Sequence, residues 1–200
     1  MDHHDWDQRY AAAPLVWSAG PNQFLEHETA TLPPGRALDV ACGEGRNAIW
    51  LAERGWRATG VDFSPVAIDK ARAIAAERGV DADWIVADVT DWTPEPTAFD
   101  LVAVMYLQLD ASGRAAAYRR AADAVAPGGT LLVVAHDLDN LDHGYGGPQD
   151  PSVLTTPESV VAVIGDLTVE RAERVRRTVT TDAGPVDAID TLVRARRTPG

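Results

Sequence analysis

Three carboxylates and two glycines are spaced in this chain as a nucleotide-type site requires. Asp39 lies in an apolar run that breaks at Gly43 and Gly45, while Asp62 and Asp88 each follow a further apolar run. The two glycines permit a sharp turn and a close approach of the backbone to a ligand, because neither carries a Cβ. Since the carboxyl ends of neighbouring parallel strands line one crevice, these side chains are predicted to face the same ligand.

Two cofactors are compatible with this pattern. The run Gly43-Glu44-Gly45-Arg46-Asn47-Ala48 satisfies G-x-G-x-x-G/A, which is typical of NAD sites. NAD and S-adenosylmethionine both carry a ribose whose hydroxyls suit Asp62, and Asp88 suits the exocyclic amine of adenine. A carboxylate at Asp39 would repel the pyrophosphate of NAD, whereas it would attract the amino group and sulfonium of S-adenosylmethionine. Charge therefore favours S-adenosylmethionine, with an NAD-linked oxidoreductase and a non-catalytic S-adenosylmethionine-binding protein as alternatives.

Each acid also has a purely local interpretation. Asp39 could serve only the backbone amides of the glycine turn, and Asp62 could cap the helix that opens after Ser64. Asp88 could be an ordinary loop acid. The coincidence of all three acids with strand ends favours one shared site.

The elements that would position these residues follow an α/β pattern, in which short apolar runs alternate with helical ones. Ser64 before Pro65 and Thr156 before Pro157 are helix-start signals. Residues 167–197 fit two more strands, although the spacing of their apolar residues suits a helix almost as well. The first five predicted strands are Arg36 to Ala41, Arg57 to Asp62, Asp83 to Val86, Phe99 to Val104 and Thr130 to Ala135. They predict a doubly wound sheet.

Length and composition restrict the partners. The 200 residues fit a single domain, 1–200, which must hold both cofactor and acceptor. A formal net charge of −12 disfavours nucleic acid as a partner. The single cysteine cannot form an internal disulfide, and no run resembles a membrane span or a signal peptide. We expect a cytoplasmic monomer or homodimer that acts on small molecules and binds neither nucleic acid nor membrane.

His136 and Tyr106 are the candidate catalytic residues, because they follow the fifth and fourth predicted strands at the mouth of the crevice. If the cofactor is S-adenosylmethionine, transfer of its methyl group would require positioning and exclusion of water, and a base only where the nucleophile arrives protonated. A thiolate, a chalcogen oxyanion or a carboxylate needs no base, whereas a hydroxyl or an amine does. The alternative for His136 is a strand-end histidine bonded to nearby backbone.

Other reactive side chains are weaker candidates. Cys42 lies inside the glycine turn and is expected to contribute only its backbone. His143, in the irregular stretch 137–155, is a candidate pocket residue. The spacing of His136, Asp137, Asp139 and His143 matches no compact ligand motif, so no metal site is predicted.

The chain resembles the class I S-adenosylmethionine-dependent methyltransferases. The run Leu38-Asp39-Val40-Ala41-Cys42-Gly43-Glu44-Gly45 is similar to the glycine-rich first motif of that family, Asp62 to its ribose acid and Ala87-Asp88-Val89 to its adenine site. Ala41 stands where many members have a first glycine. Within the family, Trp6-Asp7-Gln8-Arg9-Tyr10 and Gly20-Pro21-Asn22 resemble the tellurite-resistance and thiopurine methyltransferase-like branch, which methylates small, soft nucleophiles.

The resemblance implies a Rossmann-like, seven-stranded and mostly parallel sheet with an antiparallel last strand. It further implies that residues 1–34 form a helical cover over the cofactor and that 137–155 form a loop on the substrate side. For the aromatic residues of the cover, plain packing is the alternative. The implied cofactor residues are Arg9, Tyr10, Trp17, Asp39, Ala41, Cys42, Gly43, Gly45, Arg46, Asn47, Asp62, Phe63, Asp88, Val89 and Met105.

Overall fold

A computed structural model describes residues 3–13, 15–16 and 20–200 as seven strands with helices on both sides. The strands are β1 Arg36–Val40, β2 Arg57–Asp62, β3 Asp83–Val86, β4 Phe99–Met105, β5 Val125–His136, β6 Thr168–Thr181 and β7 Gly184–Arg196. The helices are α1 His3–Ala11, α2 Gln23–Thr29, α3 Arg46–Glu53, α4 Pro65–Arg78, α5 Ala111–Asp123, α6 Asn140–His143 and α7 Pro157–Val161, with a 3-10 turn over Pro151–Val153. No helix in the described part of the chain is long and apolar enough to cross a membrane.

All seven strands form one sheet in the order β3-β2-β1-β4-β5-β7-β6. Strands β1 to β5 are parallel to one another, and β7 runs antiparallel to both β5 and β6. The chain direction across the sheet reverses between β1 and β4, and ligands bind at such switch points in open α/β sheets. The predicted doubly wound sheet with an antiparallel last strand is therefore confirmed.

The bounds of one predicted strand need correction, and the two strands predicted within residues 167–197 are confirmed. The fifth strand begins at Val125 rather than Thr130, so that Pro127-Gly128-Gly129 lies within it. Its pairing with β4 shifts register between Phe99 and Leu101, and the extra residues of β5 are accommodated in that irregularity. Residues 167–197 contain two long strands and no helix, because each pairs along its whole length with a neighbour.

The core lies on both faces of the sheet. Leu38, Val102 and Leu131 pack against α5 residues on one face, and Leu101, Leu132 and Leu192 pack with α2 and α3 residues on the other. Parallel strands covered by helices on both faces are expected to be continuously apolar, and the central strands are. A buried acid in such a strand, as at Asp39, is therefore exceptional.

The N-terminal helix α1 lies against α4. Trp6 and Tyr10 of α1 stack at 5.7 Å between ring centroids and pack on Ala67. Lys70 of α4 donates to the backbone oxygens of Tyr10 and Ala13, and its Nζ lies 3.1 Å from Oε1 of buried Glu44. These contacts hold the N-terminal segment next to the glycine turn.

Candidate functional site

A cavity of about 410 Å³ opens at the carboxyl ends of the strands. This volume lies within the range of ~300–1,000 Å³ that is usual for small-molecule sites. Most of the sequence-predicted site residues line it: Tyr10, Ala41, Cys42, Gly43, Arg46, Asn47, Asp62, Phe63, Asp88, Val89, Met105, Tyr106 and His136. The structure therefore brings the glycine turn, two of the three acids and both catalytic candidates to one space.

Three predicted residues lie elsewhere, and one cannot be placed. Asp39 and Gly45 do not line the cavity, and Arg9 lies over the ring of Trp6 at 5.1 Å instead of lining it. Trp6 itself does line the cavity. Trp17 is outside the described residues.

The glycine turn runs through the left-handed region of backbone conformation. Ala41, Gly43 and Gly45 have φ values of 57°, 55° and 77°. For Ala41 this costs about 1–2 kcal/mol, a cost that a glycine at this position avoids. At Gly45 a Cβ would lie 2.4 Å from the ring of Trp84, so only glycine fits there. Gly45 thus shapes the turn by packing, while Gly43 faces the cavity.

Asp62 is held by the backbone. Its Oδ2 accepts from the amide of Gly43 at 2.9 Å and its Oδ1 from the amide of Ser64 at 3.0 Å. Ser64, not Asp62, caps α4, because its Oγ accepts from the amide of Ala67 at 3.1 Å. These two backbone hydrogen bonds fix the Asp62 carboxylate at the wall of the cavity that it lines.

Asp88 combines the local and the functional interpretation. Its Oδ1 accepts from the amide and the hydroxyl of Thr90, at 2.8 and 2.7 Å, which is an Asx turn. It also lines the far end of the cavity, beyond β3. The turn therefore fixes the direction of the carboxyl group without removing it from the site.

Asp39 is only 1% exposed. Neither of its carboxylate oxygens has a hydrogen bond of ordinary geometry within the described part of the chain. Burial raises its pKa to about 7, although Arg46 and the nearby groups of Ala48 and Asn47 partly offset this. Asp39 is therefore shielded from the cavity that the neighbouring residues of the turn line.

This burial predicts a pH-dependent stability. The folded pKa of Asp39 lies above the unfolded value, so the native protein keeps a proton that the unfolded chain releases, and stability falls as pH rises from about 4 to 7. Asp39→Asn should remove this loss. In urea unfolding without ligand, we expect the variant to gain about 2 kcal/mol relative to wild type between pH 5 and 7.5. Asp166→Asn, at an exposed position, is the control, and a pH-independent difference for Asp39→Asn would contradict the assignment.

Four side chains form a network on the other side of the turn. Tyr106, directly after β4, donates from its hydroxyl to Oδ2 of Asp190 at 2.7 Å. Arg177 Nε donates to the same Oδ2 at 2.8 Å and to the Tyr106 hydroxyl at 3.0 Å. His136 is the register partner of Asp190 across β5 and β7, and its Nδ1 lies 3.4 Å from Asp190 Oδ1. The rings of Tyr106 and His136 are 4.6 Å apart.

The charges of this network are settled by its contacts. Burial alone would raise the pKa of Asp190, but the hydrogen bonds from Arg177 and Tyr106 and the nearby ring of His136 hold this pKa below its usual value. Burial and the Asp190 charge raise the pKa of Tyr106 far above its ordinary value. Asp190 is therefore an anion and Tyr106 a neutral hydrogen-bond donor. Because Nδ1 of His136 faces Asp190, its other ring nitrogen is the one available to the cavity.

Arg177 and Asp190 were missed by reasoning from the sequence. Asp190 carried a usable signal, because an acid inside the apolar run Ala188-Ile189-Asp190-Thr191-Leu192 resembles Asp39 in its own strand. Arg177 carried none, since β6 is rich in arginine and only the sheet shows which one reaches the cavity.

Neither Cys42 nor His143 is placed as a reactive group would be. Cys42 is buried, and desolvation raises the pKa of its thiol well above the ordinary value, so it is a poor nucleophile at neutral pH. His143 does not line the cavity, and its side chain is 66% exposed beside Asp139. In the described ranges, no three His, Cys, Asp or Glu side chains are grouped as metal ligands.

Comparison with known proteins gives a consistent family. Residues 37–129 match the family model of a methyltransferase domain. The chain is 32% identical over 150 residues to 2-heptyl-1-hydroxyquinolin-4(1H)-one methyltransferase of Mycobacteroides abscessus, covering 72% of this chain and 66% of that protein. It is 37% identical over 154 residues to trans-aconitate 2-methyltransferase of Streptomyces coelicolor, covering 66% and 49%. The chain thus spans about half to two thirds of the length of these curated relatives.

A solved structure agrees with the fold. The N-methyltransferase NodS from Bradyrhizobium japonicum WM9, in complex with S-adenosylhomocysteine, superposes with a TM-score of 0.72 at 20% identity. The match covers 98% of this chain and 97% of that one, so it includes β6 and β7 as well as the glycine turn.

Proposed function

The chain belongs to the class I S-adenosylmethionine-dependent methyltransferases, and we propose that it transfers the methyl group of that cofactor to a small-molecule nucleophile. Membership favours S-adenosylmethionine over NAD, the alternative that the pattern of Gly43 and Gly45 allowed. The observation that carries the proposal is one cavity that joins Gly43, Asp62 and Asp88 to Tyr106 and His136.

The cofactor residues are proposed from their place in this cavity. Gly43 brings the backbone close to the ligand, Asp62 accepts from the ribose hydroxyls and Asp88 from the adenine amine. The Asp62 carboxylate, fixed at the cavity by the amides of Gly43 and Ser64, and the position of Asp88 beyond β3 support this fit. When bound, S-adenosylmethionine supplies an electrophilic methyl group. Tyr10 and Trp6 cover the same cavity from α1.

The acceptor side is proposed to lie at β4 and β5. Tyr106 and His136 follow or end these strands, across the switch point from the ribose acid. His136, oriented by buried Asp190, is proposed as a base that takes a proton from a hydroxyl or thiol acceptor. Tyr106 keeps its own proton, which it donates to Asp190, and is proposed to position the acceptor by accepting a hydrogen bond.

The size of the acceptor follows from the cavity and the net charge. A space of about 410 Å³ that must also hold the cofactor leaves room only for a small molecule. The net charge of −12 disfavours nucleic acid. A hydroxyquinolinone and trans-aconitate, named for two relatives, are small acceptors of this kind. The cytoplasm is part of the same proposal, supported by a lone cysteine that is buried and unpaired.

Ligand-induced thermal stabilisation tests the cofactor. S-adenosylhomocysteine at one hundred times its Kd should stabilise the protein by about 2.7 kcal/mol, whereas NAD should leave the melting temperature unchanged. Radiolabelled methyl transfer to a panel of thiols, phenols, carboxylic acids and amines then tests catalysis. Stabilisation by NAD and none by S-adenosylhomocysteine would overturn the proposal. Binding without transfer to any panel member would favour a non-catalytic binding protein.

A further inference from the structure

The charged residues that line the cavity are divided along the sheet. Asp62 ends β2 and Asp88 follows β3, and both strands lie on the same side of β1 and its glycine turn. Arg177 lies in β6, the edge strand on the other side of β1 from β2 and β3, and lines the same cavity. The cofactor end of the cavity is therefore acidic and the acceptor end contains a guanidinium group.

A second guanidinium group, that of Arg46, lines the same cavity. Arg46 opens α3 directly after the glycine turn. Burial lowers its pKa, Tyr106 and Asp39 oppose this shift, and the charge of Arg177 adds to it. An anion bound near both guanidinium groups would reduce the repulsion between them.

The hydrogen bonds of Arg177 involve only one of the three nitrogens of its guanidinium group. Its Nε holds Asp190 and Tyr106, and that one nitrogen suffices for the structural network. Its two terminal nitrogens have no hydrogen-bond partner among the residues that the structure describes. The side chain is 27% exposed, so these N–H groups are accessible from the cavity it lines. A planar pair of guanidinium donors matches the two oxygens of a carboxylate.

We propose that Arg177 binds a carboxylate of the methyl acceptor, so that the substrate class is a small organic acid. The inference rests on the proposed function, because it assigns the acceptor half of the same cavity. Asp190 fixes the guanidinium from behind, through Nε, and the terminal nitrogens hold the acid next to His136. Arg177 is thus a specificity-determining residue.

Binding of matched probes to the S-adenosylhomocysteine-loaded protein tests this assignment. The probes are benzoate against benzamide and hexanoate against hexanamide, with Kd measured by calorimetry. Wild type should bind the carboxylate of each pair at least tenfold more tightly, since hydrogen bonds to a charged group contribute about ten- to a hundredfold in affinity. Arg177→Gln should reduce this preference to less than about threefold and leave the amides within about threefold of wild type.

The neighbouring arginine provides the matched control. Arg176 precedes Arg177 in β6, its side chain is 68% exposed, and it pairs with Asp187 outside the cavity. Arg176→Gln removes the same charge and should keep the full carboxylate preference. Arg177→Lys keeps the charge without the fork and should keep an intermediate preference.

The outcomes separate the two proposals. Failure of wild type to bind S-adenosylhomocysteine contradicts the proposed function itself. Normal S-adenosylhomocysteine binding with no carboxylate preference overturns this inference alone. An equal loss of acid and amide in Arg177→Gln would assign Arg177 a merely structural role, and Arg177→Lys gives a second measurement should the glutamine variant unfold.

Discussion

Replacing His136 by glutamine is expected to lower kcat for a hydroxyl or thiol acceptor about 10²- to 10⁴-fold, the usual contribution of a general base. Affinity for S-adenosylhomocysteine should stay within about threefold, because His136 stands at β5 and the cofactor acids at β2 and β3. The measurement is methyl transfer to the best acceptor of the panel at saturating cofactor. An unchanged kcat would exclude His136 as the base.

The pH profile distinguishes a lost base from a damaged site. In the variant, solution must remove the proton, so its rate should recover as pH rises toward the pKa of the acceptor. A deficit that persists at high pH would mean that His136 positions the acceptor instead. His143→Gln is the matched control, since this exposed histidine lies outside the cavity and should leave kcat unchanged.

The parts of the fold that could be predicted are those with local signals. Strands β2 and β3 have the predicted bounds, because in the sequence each apolar run is followed by an acidic residue or by turn residues. The start of β5 was placed too late, since Pro127-Gly128-Gly129 normally breaks a strand and here lies in a register shift that depends on β4. Local patterns cannot report a distortion that a neighbouring strand imposes.

The candidate site divides in the same way. Gly43, Asp62 and Asp88 were predictable because each follows a strand in consecutive βα units, so that position along the chain fixes position in the crevice. Arg177 reaches the cavity, and Asp190 lies buried behind it, from an antiparallel hairpin whose register is set by pairing with β5. For Asp39 the prediction from spacing was wrong. Its position before the glycine turn suggested a contact with the ligand, but its side chain is buried and does not line the cavity.

Replacing Asp62 by alanine is expected to weaken binding of S-adenosylhomocysteine about ten- to a hundredfold, as measured by calorimetry. Hydrogen bonds to a charged acceptor are worth about 1.5–3 kcal/mol, and the ribose hydroxyls would lose theirs. The same carboxylate also accepts from the amides of Gly43 and Ser64, so the variant removes two backbone contacts as well. Its affinity alone therefore does not separate lost ribose contacts from a loosened glycine turn.

Ser64→Ala tests whether the affinity also falls when the neighbouring start of α4 is loosened. It removes the helix cap, which should cost about 1 kcal/mol of stability, but it leaves the carboxylate and the Ser64 amide in place. If ribose recognition is the role of Asp62, Ser64→Ala should lower the melting temperature and keep the affinity within about threefold of wild type. Unchanged affinity in Asp62→Ala would show that the ribose is held elsewhere. Equal losses in both variants would assign the effect to a disturbed start of α4 instead of to the ribose, because Ser64→Ala leaves the hydrogen bonds from the Gly43 and Ser64 amides to Asp62 in place.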